Sequence, residues 1–248
     1  MFSVPAKAIT SSFYKCSPKK SYYSGCSTGG AQGYALAQYH PEIFDGIVAG
    51  SAGNWYSHLI LSFLWNGIHA NKPGAFLSQE ILTFAKDAAV AKCDKLDGVE
   101  DGVIDDPTKC DFESSSLLCK PGQARVENEK VACLNTTELA TFHAIYSGPG
   151  PEVYPGFAKG SEAEWLVQEE DLYTAYAVPI LQNLVFKNLS YDYTSFDFKK
   201  DYKIVDEVAG PLITATSPRL DAFKLRGGKL IATQGRHPIE RFVSRKSN

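Results

Sequence analysis

The chain reads as an α/β protein whose parallel sheet is interrupted by a long inserted segment, and three observations predict it. An aromatic, β-prone run ending at Ser24 leads through Gly25-Cys26-Ser27-Thr28-Gly29 into a helix-prone stretch. Residues 44–49 form a second short apolar run behind a proline-bounded turn, so strand, helix and strand follow in the order that gives a parallel pair with a crossover. From Asn54 to about Gly210 helical stretches alternate with loops rich in Asp, Gly, Pro and Cys, before residues 229–233 resume the β pattern.

Taken in order, the expected elements are a strand at 20–24, a helix at 29–38 and a strand at 44–49. The inserted segment should hold helices at 78–92, 136–145 and 169–186, and a short helix at 217–226 should precede the third strand at 229–233. This divides the chain into a core of 1–53 with 211–248 and an inserted domain of 54–210. No internal repeat or low-complexity tract is evident.

Strand, sharp turn and helix around Gly-x-Ser-x-Gly is the context of a nucleophile elbow, in which a serine sits in a strained turn among small neighbours. Ser27 is the candidate nucleophile, and Gly25 and Gly29 are expected to supply the room because they lack a Cβ. A helix starting near Thr28 aims its N-terminal N–H groups at negative charge developing beside Ser27, which makes the Thr28 N–H the candidate oxyanion donor.

The second pattern is Cys93-Asp94-Lys95-Leu96-Asp97-Gly98-Val99-Glu100-Asp101-Gly102-Val103. Calcium takes about six to eight oxygens from carboxylates, backbone carbonyls and water in a flexible cage. This loop can offer the side chains of Asp94, Asp97 and Asp101 and the carbonyls of Val99 and Val103. It is not an EF-hand, since the spacing differs and no bidentate Glu closes it; the plainer reading is a solvated acidic turn. Cys93 with Cys110, and Cys119 with Cys133, bracket short loops and read as disulfides of an oxidising compartment, against the alternative of reduced thiols.

With 248 residues, 44% of them apolar, the chain has ample material for a core, as one large domain or two small ones. A formal net charge of −3 gives no reason to invoke nucleic acid or an anionic membrane. No apolar run reaches the roughly 18 residues of a membrane span. The first residues lack the apolar stretch of a signal peptide, yet Asn135-Thr136-Thr137 and Asn188-Leu189-Ser190 are glycosylation sequons.

Gly25-Cys26-Ser27-Thr28-Gly29-Gly30, then Gln32-Gly33, then the run from Tyr39-His40-Pro41 to Ala49-Gly50, closely resembles the tannase and feruloyl esterase family of secreted serine esterases. The likeness resumes at Leu220-Asp221-Ala222-Phe223 and Gly227-Gly228-Lys229-Leu230-Ile231. It implies an α/β-hydrolase core, a large inserted lid that carries calcium in the same Cys-Asp-x-x-Asp-Gly-x-x-Asp-Gly pattern, and hydrolysis of plant phenolic esters, whether small molecules or linked to polysaccharide. It also implies a catalytic acid in a Gly-Trp-x-Asp-Pro turn, where this chain has Gly235-Arg236-His237-Pro238, and a histidine and cysteine further on, the cysteine pairing with the one at Cys26. Acid and base are therefore not found, Cys26 lacks its expected partner, and Cys16 has no counterpart.

The family's early strands, which carry a second oxyanion donor, have no counterpart either, so the chain reads as truncated at both ends. Of the histidines, His40, His58, His69 and His143 read as surface or core residues, and His237 is the least implausible base, although it stands in the acid's place. The leading reading is a secreted carboxylic ester hydrolase with calcium in the lid, this chain being an inactive or weakly active fragment. The alternative is a non-catalytic secreted calcium-binding pseudo-esterase. A peptidase or lipase using the same elbow comes third.

Overall fold

The computed structural model describes residues 3–127 and 129–234. The described residues separate into two compact units: one from the chain start to Ser57 and from Gly210 onward, the other His58–Ala209.

The first unit is built on three parallel strands, β1 (Tyr22–Cys26), β2 (Gly46–Gly50) and, in chain order the fifth, β5 (Lys229–Thr233), with β2 in the middle. The register sets Ser24 beside Val48 and Val48 beside Ile231. β1 lies later than the sequence suggests because residues 20 and 21 serve Asp45 instead. The Ser21 N–H donates to the Asp45 carboxylate at 2.9 Å, and Lys20 pairs with it at 3.1 Å. These donors hold the Asp45 carboxyl below its ordinary range, the Ser21 N–H contributing most. Asp45 thus staples the start of β1 to the start of β2.

Helix α2 (Thr28–Tyr39) joins β1 to β2. Its buried residues are Gly30, Gly33 and Ala37, spaced so that all three fall on one helical face. A stripe this small lets the helix backbone settle directly on the sheet. Ala37, Ile47, Ala49 and Phe223 form the core on that side, with Tyr23, Phe44 and Leu230 packed against it. Phe223 comes from the short helix α9 (Asp221–Leu225). On the opposite side Tyr22, Val48 and Ile231 remain 74%, 41% and 59% exposed. A parallel sheet is ordinarily covered on both faces; among the described residues of this unit, α2 and α9 pack on one.

A helix that the sequence reading missed, α1 (Ser3–Tyr14), precedes the sheet. It buries no residue, and Val4, Ile9 and Phe13 all face solvent. Lys7 attaches it, donating to the Ile43 carbonyl and lying over the Phe44 ring. Without a buried stripe it leaves no clear amphipathic signature to read.

The second unit is mainly helical, with most of α3 (Tyr56–Ala70), α4 (Gln79–Cys93), α5 (Thr136–Ser147), α6 (Leu166–Glu170) and α7 (Tyr202–Val208), and a small antiparallel pair, β3 (Val126–Glu127) with β4 (Lys130–Val131). α8 (Gly210–Ile213) opens the return to the first unit. Ile81, Leu82, Ala85 and Ala89 form the buried stripe of α4 and pack with Phe142, Ile145 and Trp165. Trp165 is fully buried, its indole N–H donating to Ser161 at 3.0 Å. Disulfides join Cys93 to Cys110 and Cys119 to Cys133.

The helix expected at 169–186 is not one continuous α-helix. After α6 the chain passes through two π-helical stretches, Tyr173–Ala177 and Ile180–Val185. Pro179 stands between them and has no N–H to give the ladder. The Phe186 N–H then reaches back five residues to the Leu181 carbonyl at 2.9 Å. At α5, Asn135 works as a helix cap: its side chain accepts from the N–H groups of Thr137 and Glu138, and Glu138 accepts from the Asn135 N–H in return.

Candidate functional site

Ser27 occupies the single-residue turn between β1 and α2, with φ 57° and ψ −118°. A non-glycine residue in such a conformation costs about 1–3 kcal/mol and persists only when its surroundings enforce it. Here they do. The Ser27 N–H donates to the Gly50 carbonyl at 2.9 Å, and its own carbonyl accepts from Ala31 at 3.0 Å. The side chain is left exposed, and among the described residues Oγ has no hydrogen-bond partner. Because Ala31 is the first amide to close onto Ser27, the amides of Thr28, Gly29 and Gly30 have no intrahelical acceptor. The Thr28 amide is the nearest of these to Ser27 along the chain.

The glycines divide differently from the expectation. A Cβ on Gly25 would lie 2.6 Å from the Gly29 backbone, so that position has no room for one. A Cβ on Gly29 would meet only the Tyr23 hydroxyl at 3.6 Å, which is ordinary contact. The second tight position is Gly30, where a Cβ would stand 2.4 Å from the Gly50 carbonyl oxygen. Sequence reading also missed two supports. Tyr23 donates its hydroxyl to the Gly29 carbonyl at 2.8 Å, tying the first turn of α2 to β1. Ser51, just after β2, has φ 41° and donates its N–H to Thr233 at 2.7 Å. A small residue beside the end of a strand was the only signal for it.

None of the histidines among the described residues hydrogen-bonds Ser27. His58 is buried, with Nδ1 against the Val153 carbonyl and Nε2 2.7 Å from the Asp206 carboxylate. Both ring nitrogens therefore face acceptors, which leaves neither open to take a proton from a nucleophile. His69 uses Nδ1 on the Trp65 carbonyl, and burial pushes its pKa down. His40 lies 3.9 Å from Glu42, and His143 is exposed on α5. His237 and the turn at 235–238 lie outside the described residues. Cys16 and Cys26 are both free and exposed.

The acidic loop folds as two copies of one turn. Asp97 accepts from Val99 at 2.8 Å and Asp101 accepts from Val103 at 3.1 Å, with Gly98 at φ 91° and Gly102 at φ 81° between them. Asp94 is buried and accepts the N–H groups of Asp101 and Gly102, at 3.3 and 3.1 Å. The loop is thus wrapped around Asp94, and the Cys93–Cys110 bridge closes it. Among the described residues no three His, Cys, Asp or Glu side chains converge as a metal cluster. The expected set counts on three such side chains, those of Asp94, Asp97 and Asp101, together with two main-chain carbonyls. Asp97 and Asp101 each engage only one carboxylate oxygen in the turns, so the hard-oxygen donors calcium prefers are present in kind.

A parallel sheet with a serine held at positive φ between strand and helix defines the elbow class of α/β proteins. The family model described as tannase and feruloyl esterase matches residues 2–240, and the chain belongs to that family. It is 33% identical over 249 residues to an uncharacterized esterase of Xanthomonas campestris, a match covering 91% of this chain and 42% of the relative. It is 30% identical over 242 residues to a probable feruloyl esterase B of Aspergillus clavatus, covering 94% and 44%. The crystal structure of feruloyl esterase B from Aspergillus oryzae superposes with a TM-score of 0.79 at 29% identity, covering 93% of this chain and 46% of that one. The chain spans less than half the length of each of these three relatives. No helix among the described residues is long and apolar enough to cross a membrane.

Proposed function

We propose that the chain carries the nucleophile and calcium parts of a secreted serine carboxylic ester hydrolase acting on esters of plant phenolic acids, feruloyl or galloyl, small or polysaccharide-linked. The observation that carries this is Ser27, held at φ 57° with its hydroxyl exposed at a helix N-terminus. In this reading Ser27 attacks the ester carbonyl, the Thr28 N–H stabilises the oxyanion, and water then releases the acid. In the same reading the inserted segment, 54–210, is the counterpart of the family's lid domain. Calcium, when bound, would be held by Asp94, Asp97 and Asp101 and by the Val99 and Val103 carbonyls, and would neutralise the clustered carboxylates. The two disulfides suit an oxidising compartment.

The base is the open element. A triad serine without its histidine loses several orders of magnitude in rate. Turnover of methyl ferulate or methyl gallate should therefore fall well below the ordinary range of about 1–1000 per second. Ser27→Ala should remove what remains, and a peptide should not be cut. Hydrolysis that survives Ser27→Ala would overturn Ser27 as nucleophile. Fast hydrolysis lost on that substitution would put a base outside the described residues, with His237 the first to mutate. The second reading, a non-catalytic calcium-binding pseudo-esterase, is favoured by the absence of a histidine partner for Ser27 among the described residues, and it expects calcium binding with no ester turnover at all.

The calcium assignment has its own test. Calcium should raise the melting temperature by mass action, since only the folded loop gathers the donors. Asp97→Ala should abolish that rise. An identical melting curve in calcium and in chelator, after removal of bound metal, would sink the assignment.

A further inference from the structure

The two sequons have different fates in the fold. At Asn135 the amide oxygen accepts from Thr137 at 2.8 Å and Glu138 at 2.9 Å, and the residue is half-buried as the cap of α5. It follows Leu134, which is fully buried, and Cys133, which is held in a disulfide. Glu138, its partner in the cap, is buried and paired with Arg125.

Asn188 stands at the tip of an exposed turn. Residues 187–190 all face solvent, and Leu189 is 72% exposed. The turn is nonetheless fixed. Lys187 takes φ 50°, the Asn188 N–H donates to Gln182 at 2.8 Å, and the Tyr191 N–H donates to the Asn188 carbonyl at 3.0 Å. The Gln182 amide donates to the Tyr191 carbonyl at 3.2 Å, and the Phe186 and Tyr191 rings stack at 4.1 Å beneath. The Asn188 amide oxygen accepts the Ser190 N–H at 3.0 Å, and among the described residues Nδ2 and the Ser190 hydroxyl have no partner.

We propose that Asn188 is the attachment site for an N-linked oligosaccharide and that Asn135 is not. The donor is a lipid-pyrophosphate-linked oligosaccharide, brought by a transferase that reads the Asn-x-Ser tripeptide. Nδ2 of Asn188 attacks the anomeric carbon. A C–N bond forms, the C–O bond to the pyrophosphate breaks, the lipid pyrophosphate leaves, and the amide gives up one proton. The amide oxygen can keep its bond from Ser190 throughout, so the turn need not open. The attached sugar, bulky and solubilising, would then cover Leu189.

The proposal rests on the secretory reading above, and the test separates the two. The full chain is expressed in a yeast behind an added secretory leader, so its own address does not matter. Leader cleavage and oxidation of the Cys93–Cys110 pair report entry into the lumen. Peptide N-glycosidase in heavy-oxygen water, followed by mass spectrometry, maps the acceptor. The expected result is a glycan on the peptide carrying Asn188, with one mobility shift that is lost in both Asn188→Gln and Ser190→Ala and kept in Asn135→Gln. A leader-cleaved, oxidised chain without glycan at Asn188, or one modified equally at Asn135, overturns the proposal without touching the secretory reading.

Discussion

Gly30→Ala should destabilise the first unit by about 3 kcal/mol, the upper end of what inserted atoms usually cost in a packed interior. The added methyl would stand 2.4 Å from the Gly50 carbonyl oxygen and 3.0 Å from the Ala52 Cα. Both obstacles are backbone, so relief requires α2 to lift from β2. That lift would also pull at the Ser27 N–H bond to the same Gly50 carbonyl. Alanine is favoured over glycine inside a helix by about 1 kcal/mol, yet the steric term outweighs it here. Gly29→Ala supplies the control, because its methyl has room and only the propensity term remains; it should be neutral or slightly stabilising. Hydrogen exchange at the Ser27 amide and urea unfolding would show the contrast. Equal stability of the two variants would mean that α2 does not sit as close to β2 as described.

Glu169→Gln should stabilise the second unit, and by more as pH rises. Glu169 is fully buried; one carboxyl oxygen accepts the Leu77 N–H at 2.9 Å and the other has no partner. Burial pushes its pKa from 4.5 up to about 8, with Glu170 adding to the rise and the Leu77 bond opposing it. The raised value means that the folded chain holds a proton which the unfolded chain releases. Its contribution is then complete below pH 4.5 and is lost progressively as pH climbs through about 8. Glutamine has no proton to lose. Each pH unit in that window is worth about 1.4 kcal/mol, so the gain from Glu169→Gln should be near zero at pH 4.5 and about 3 kcal/mol at pH 7. Urea unfolding at a series of pH values would read the slope. A gain independent of pH would show that Glu169 is ionised in the folded chain.

Much of the first unit was legible in the sequence because its signals are local. Tyr22 to Gly30 carry strand, turn and helix in one short stretch, and β5 falls where the apolar run was read. Which glycine is tight was not legible: Gly29 and Gly30 are equivalent as letters, and only the approach of Gly50 separates them. Helix α1 was missed because it buries nothing. The π-helical stretches were missed because a helix that accepts five residues back keeps the composition of an α-helix, with Pro179 its one mark. The acidic loop was readable as spacing, since Asp-Gly-Val occurs twice, whereas the wrapping of the second turn around Asp94 needed coordinates. Asn135 shows the reverse difficulty, because one tripeptide spells both a sequon and a helix cap.

The sheet's uncovered side gives the first unit the character of an amphiphile. Tyr22, Val48 and Ile231 form a band across the three strands, and among the described residues β1 and β5 end the sheet with outward rows of backbone donors and acceptors. Water must solvate an oily stripe and two polar rails at once, the combination that draws strands together edge to edge. At an air–water surface or in dilute detergent the unit would therefore orient, with the α2 side wet and the bare side sheltered.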